Sequence, residues 1–126
     1  MRRCLAVIER AYRGTLEEQY SHILWICLSL KKMGGQIGVL LRGNAVLYAR
    51  RDQQQLSLTI SDLPVALPDY ETSVTGLIDA GTLVYVISAN LDQLGLTPDD
   101  LCPGVEPIDA ADLAQLCSTF DVIWYW

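Results

Sequence analysis

One histidine, one phenylalanine and no pair of cysteines at CxxC spacing occur in this 126-residue chain. These shortages remove whole classes of chemistry. With His22 alone, neither a cysteine–histidine zinc site nor a serine–histidine–carboxylate relay has a supporting pattern. The GxGxxG of a dinucleotide fingerprint and the GxxxxGK of a P-loop are also missing, which argues against NAD, FAD and ATP. Positive charge is scarce: 9 Lys and Arg stand against 15 Asp and Glu, a net charge of -6. That balance opposes a phosphate backbone and makes nucleic acid an unfavourable partner. Long hydrophobic runs are absent too. Residues 19–30, among the longest uncharged stretches, fall short of the ~20 a membrane helix needs. Only five uncharged residues separate Arg3 from Glu9, too few for a secretory apolar region. The expectation is a cytoplasmic protein without metal or cofactor, its four cysteines (Cys4, Cys27, Cys102, Cys117) free thiols.

What is abundant is apolar surface. Apolar residues make up 51% and charged residues 19%, the latter below the ~25% of ordinary soluble domains. An apolar excess in a chain of single-domain size implies surface hidden against another subunit, so a homo-oligomer is expected.

Residues 4–8 (CLAVI), 37–41 (IGVLL) and 83–87 (LVYVI) are continuous apolar runs, the mark of strands covered on both faces. Residues 105–108 and 122–126 read as two further strands, the former weakened by Pro107. Between them lie helical patterns. Thr15 opens one with a capping box completed by Glu18. Leu16, Tyr20, Ile23, Cys27 and Leu30 share its inner face, and Gly34-Gly35 ends it. Trp25 points the other way, among Glu18, Ser21, Ser29 and Lys32, and is a candidate subunit contact. A short helical turn is expected over 44–49, helices over 70–80 and 90–95, and one capped by Asp109 running to Phe120. In the 50–69 segment LSLTI alternates like a strand, but Pro64 and Pro68 point to a loop or edge excursion. Alternating strands and helices predict one domain over 1–126: an α/β, small flavodoxin-like three-layer sandwich with a parallel sheet of about five strands.

In a parallel sheet every strand-to-helix turn lies at the same edge. That gathers Arg13-Gly14-Thr15, Arg42-Gly43-Asn44 and Ser88-Ala89-Asn90 along one rim, where ligands of such folds bind. Glycine allows close backbone approach, free amides suit an anion, and two guanidinium groups would reinforce them. The candidate ligand-binding residues are therefore Arg13, Gly14, Thr15, Arg42, Gly43, Asn44, Ser88 and Asn90. The competing reading pairs the arginines with Glu9, Glu17 or Glu18 and leaves the glycines as turn residues.

The blocks ERAYRGTLEEQ…ILW, VLLRGNAVLYA, AGTLVYVISANLDQLGL, PGVEPIDAADL and DVIWYW run in order over almost the whole chain, excepting the 52–69 loop. Together they resemble the DsrE/DsrF/DsrH-like (Tus-like) sulfur-relay family. The resemblance implies a flavodoxin-like sheet, assembly into trimers or hexamers, and, in active members, a cysteine persulfide passed to a sulfur-relay partner protein. This chain departs where those members carry sulfur. Ser88-Ala89-Asn90 stands where DsrE-like members have a cysteine after the third strand, and Gln19 stands near the early-helix cysteine of DsrH-like members. A hydroxyl or amide cannot hold a sulfane sulfur.

Of the cysteines present, Cys4, Cys27 and Cys117 fall in apolar patterns and read as packing. Cys102, in the Leu101-Cys102-Pro103-Gly104 loop, is the candidate catalytic thiol, expected to be accessible but disfavoured by Asp99 and Asp100. Three functions follow: a small oligomeric protein with a ligand at the rim and no sulfur-carrying cysteine, a persulfide transferase using Cys102, or a structural subunit. In the last, Trp25 and the terminal Trp124 and Trp126 drive assembly.

Overall fold

The chain's structure, a computed structural model, describes residues 2–10, 23–53, 57–66 and 70–126. Its centre is a sheet of five parallel strands in the order β6-β5-β2-β1-β7. These are β1 (Arg3–Ile8), β2 (Gln36–Leu41), β5 (Val84–Ile87), β6 (Glu106–Ile108) and β7 (Val122–Tyr125). The register sets Ala6 beside Val39 on one side and Trp124 on the other.

The chain steps outward from β1 through β2 and β5 to β6, then returns past β1 to place β7 on the far side. Crossovers of one hand that reverse direction must change face. That single reversal explains the layering. The first face, carrying Ala6, Ile8, Val39, Leu41, Val84 and Val86, is covered by helices α1 (Ile23–Lys32) and α2 (Tyr70–Asp79) and a 3-10 helix (Gly43–Ala49). Helix α3 (Ser88–Gln93) adds Leu91 to that core. The second face, carrying Leu5, Val7, Leu40 and Ile87, meets the six-residue α4 (Leu113–Ser118) with Leu113, Leu116, Cys117 and Phe120. So short a cover leaves Leu83, Ile123 and Tyr125 exposed.

The residues explain the elements. In α1 Ile23, Leu24 and Cys27 are buried while Trp25 is 53% exposed, as the helical period requires. Gly34, at φ +92°, lets the chain leave α1: Gly35 N–H donates to Leu30 C=O and Gly34 N–H to Lys31 C=O. Gly38 in β2 answers a different need. A Cβ there would lie 2.6 Å from the Phe120 ring, so the missing side chain is the seat of that ring.

Four expectations are corrected or sharpened. The 50–69 segment contains a hairpin, β3 (Ser57–Ile60) and β4 (Leu63–Ala66), forming a separate two-stranded antiparallel sheet. Pro64 is tolerated because the strand has only one partner and an outer edge. The helix expected from Asp109 to Phe120 divides into a 3-10 turn (Ala110–Asp112) and α4; Asp109 makes no side-chain cap bond, and α4 ends at Ser118. The turn expected over 44–49 is the 3-10 helix, beginning at Gly43. Pro107 lies inside β6, an edge strand, where its missing N–H costs no ladder bond to a further neighbour. The capping box at Thr15 lies outside the described residues.

Candidate functional site

At the carboxyl edge of the sheet three strand ends converge. Arg42 N–H donates to Ile8 C=O (3.0 Å), Glu9 N–H to Trp126 C=O (3.0 Å) and Trp126 N–H to Val7 C=O (2.8 Å). Backbone bonds thus hold the residues following β2, β1 and β7 side by side. Their side chains meet as well. The Tyr125 hydroxyl donates a short hydrogen bond to a Glu9 carboxylate oxygen, and Arg42 Nε stands 3.9 Å from the other oxygen. Arg10 and Arg42 both act on the Tyr125 hydroxyl through their charge. Of the two, Arg42 is the one that stands against the Glu9 carboxylate. The hydrogen bond to Glu9 comes first among the causes that raise the Tyr125 hydroxyl above its ordinary value, followed by burial and the Glu9 charge.

The turn expected at Ser88-Ala89-Asn90 is instead the start of α3, which follows β5 directly and runs over Ser88–Gln93 rather than 90–95; Asn90 joins it to the Arg42-Gly43 turn. Its Oδ1 accepts the Gly43 N–H at 2.9 Å, and its Nδ2 donates to Gln93 Oε1 at 2.9 Å. Gly43 has φ +58°, and a Cβ there would lie 3.3 Å from the Glu9 carbonyl oxygen. Glycine is needed at this point for the backbone turn itself. Of the residues singled out from sequence, Arg42, Gly43, Asn44, Ser88 and Asn90 lie on or beside these turns, whereas Arg13, Gly14 and Thr15 are outside the described residues.

Two parts of the expected arrangement change. The Gly43 amide is occupied by Asn90, so it is not a free donor for an anion. Arg42 pairs with Glu9, the competing reading of that residue, but at 3.9 Å and with both side chains about two-fifths exposed the pair is loose. Glu9 was read from sequence only as a pairing partner of the arginines, and neither Arg10 nor Tyr125 was placed at the rim. The signal for Glu9 and Arg10 was their position immediately after a buried strand; Tyr125 belongs to the edge only because β7 returns beside β1.

Cys102 is corrected. The thiol expected to be accessible is 2% exposed, packed into the first-face core. The cause is backbone pairing: Cys102 N–H donates to Ala49 C=O at 2.8 Å, Arg51 N–H to Asp100 C=O at 2.8 Å, and Arg50 bridges Leu101. Burial raises the thiol's pKa first and the Glu71 charge second; a hydrogen bond with Thr75 acts in the other direction. The acidic neighbours are Glu71 and Asp52, not the Asp99 and Asp100 read from the sequence. Cys27 is likewise buried, its pKa pushed up to about 12 by burial and then by Cys4. Trp124 and Trp126 are partly buried against the same core and meet edge to face with centroids 5.1 Å apart.

Among the described residues no cluster of three or more His, Cys, Asp or Glu side chains could hold a metal ion, and no helix is long and apolar enough to cross a membrane.

The chain is a parallel five-stranded α/β sandwich, and solved structures share that fold. No family model and no curated protein sequence matches the chain. The YchN protein of E. coli is 19% identical with a TM-score of 0.80, each chain covered over 100% of its length. BT1422 from Bacteroides thetaiotaomicron, a conserved protein of unknown function, is 13% identical with a TM-score of 0.67, covering 98% of this chain and 94% of that one. MTH1491 from Methanobacterium thermoautotrophicum, also of unknown function, is 16% identical with a TM-score of 0.63 over 98% and 97%. These likenesses establish the fold.

Proposed function

We propose that this chain is a cytoplasmic, homo-oligomeric DsrE-like protein that does not carry sulfur on cysteine and that binds a small anionic or sulfur-containing ligand at its carboxyl rim. One observation carries the reading: Arg42 stands beside the Glu9 carboxylate, and both Arg42 and Arg10 act by charge on the Tyr125 phenol bonded to it, at the strand ends where ligands of parallel sheets bind. The surplus guanidinium charge suits an oxyanion, with Tyr125 and the Ser88 hydroxyl as hydrogen-bonding neighbours. The absence of cysteine at Ser88-Ala89-Asn90 supports a holding role rather than transfer. Burial of Cys102 removes the motive for a persulfide step at that thiol.

Titration with inorganic phosphate, sulfate and thiosulfate, followed by amide and guanidinium NMR shifts, tests this. Binding should weaken about a hundredfold or more in the double variant Arg10→Ala/Arg42→Ala, the loss of two charge-assisted bonds worth about 1.5–3 kcal/mol each. Identical binding before and after the substitutions would remove the rim from consideration.

A further inference from the structure

The two edges of the main sheet are built differently. Strand β6 is three residues long, with Pro107 at its centre and an exposed Glu106. Shortness, proline and charge are the devices by which an edge refuses a further strand. Strand β7 has none of them. It reads VIWY, with no charge and no proline, and among the described residues nothing pairs with its outer edge.

Its backbone is also turned outward. Trp126 directs both its N–H and its C=O toward β1. Alternate residues do this in a parallel ladder, so Ile123 and Tyr125 point theirs away from the sheet. The side chains of those two residues project from the second face, 44% and 57% exposed, beyond the reach of α4.

We propose that a second copy of this chain pairs with β7 in antiparallel fashion, about a two-fold axis passing beside Trp124. This rests on the homo-oligomer part of the function proposed above and names its contact. The edge is self-complementary under that operation. Ile123 of each copy stands opposite Tyr125 of the other, a β-branched residue against an aromatic ring, and Trp124 stands opposite its own copy on the first face. The outward groups of both residues then close about four backbone hydrogen bonds. Neither end of the strand is a block of one charge: Asp121 lies with Arg3 at the amino end, and Arg42 and Arg10 lie with Glu9 by Tyr125 at the carboxyl end, so antiparallel pairing brings no like-charged blocks together.

The test uses the whole chain. Sedimentation across protein concentration should show a species of twice the mass or a multiple of it. Amide exchange at Ile123 and Tyr125 should slow on the order of tenfold as that species forms. Ile123→Lys alters an exposed side chain, leaves every bond to β1 in place, and should abolish the concentration dependence. Trp25→Glu should leave it intact. Assembly that survives Ile123→Lys but fails in Trp25→Glu would overturn this contact while leaving the homo-oligomer standing. A monomer at every concentration would overturn both and leave the rim ligand to its own titration. Amide exchange on the unsubstituted chain keeps the question open to refutation even if the lysine variant misfolds: fast exchange at Ile123 and Tyr125 in the assembled protein overturns the pairing.

Discussion

Asn90 Oδ1 accepts the Gly43 amide hydrogen at 2.9 Å, tying the first turn of α3 to the start of the 3-10 helix 47 residues earlier. Asn90→Ala should leave a partly buried N–H without its partner and cost about 1–3 kcal/mol in urea unfolding. Asn90→Asp keeps the acceptor and should lose less. Equal losses would show that the amide group is held for some other reason.

Gly38 and Phe120 form a second dependency. The Phe120 ring lies over the α-carbon of Gly38, with the Arg3 guanidinium 4.9 Å above the ring centre. Gly38→Ala forces the ring aside and should cost about 1–3 kcal/mol by thermal unfolding. Combining it with Phe120→Leu should recover part of the loss, because the clash is with the ring edge. Additive losses in the double variant would contradict the packing argument.

Tyr125 offers a pH signature. Its hydroxyl is raised above the ordinary value of 10.0, chiefly by its hydrogen bond to Glu9. A folded pKa above the unfolded one means the contribution to stability is complete below about pH 10 and is lost as pH rises through the folded value. The stability difference between the native protein and Tyr125→Phe should therefore hold steady at neutral pH and shrink above pH about 10. A difference that grows there would reverse the assignment.

Thiol reactivity separates the four cysteines. Cys27 and Cys102 are buried with raised pKa values, while Cys4 and Cys117 are partly exposed, although burial raises the Cys4 thiol as well. A maleimide at pH 7 should label Cys4 and Cys117 in the folded chain and reach Cys27 and Cys102 only after unfolding, as read by peptide mass. A persulfide donor should likewise leave Cys102 unchanged. Rapid adduct formation on Cys102 would restore the transferase reading.

The one-dimensional pattern settled what depends on neighbours along the chain. Continuous apolar runs at residues 4–8, 37–41 and 83–87 announce the inner strands, although the third begins at Val84 and leaves Leu83 exposed, and the period of Ile23, Cys27 and Trp25 sorts the inside of α1 from its outside. These follow from local geometry, because burial on two faces or on one stripe imposes a fixed spacing of apolar residues. The Arg42-Gly43 turn was visible for the same reason: a strand must end before its helix begins.

Tertiary structure alone decided the rest. A loop with proline and nearby acids reads as solvent-exposed, yet Cys102 is buried because the 97–102 segment pairs across to 49–51. Nothing near Cys102 in sequence carries that information. Glu9 and Tyr125 are 116 positions apart and touch because β7 returns to the far side of β1. Strand order is a property of the whole sheet, set by which faces remain to be covered once the first four strands are laid down. The residues that meet at its carboxyl edge are selected by that order and not by their spacing in the chain.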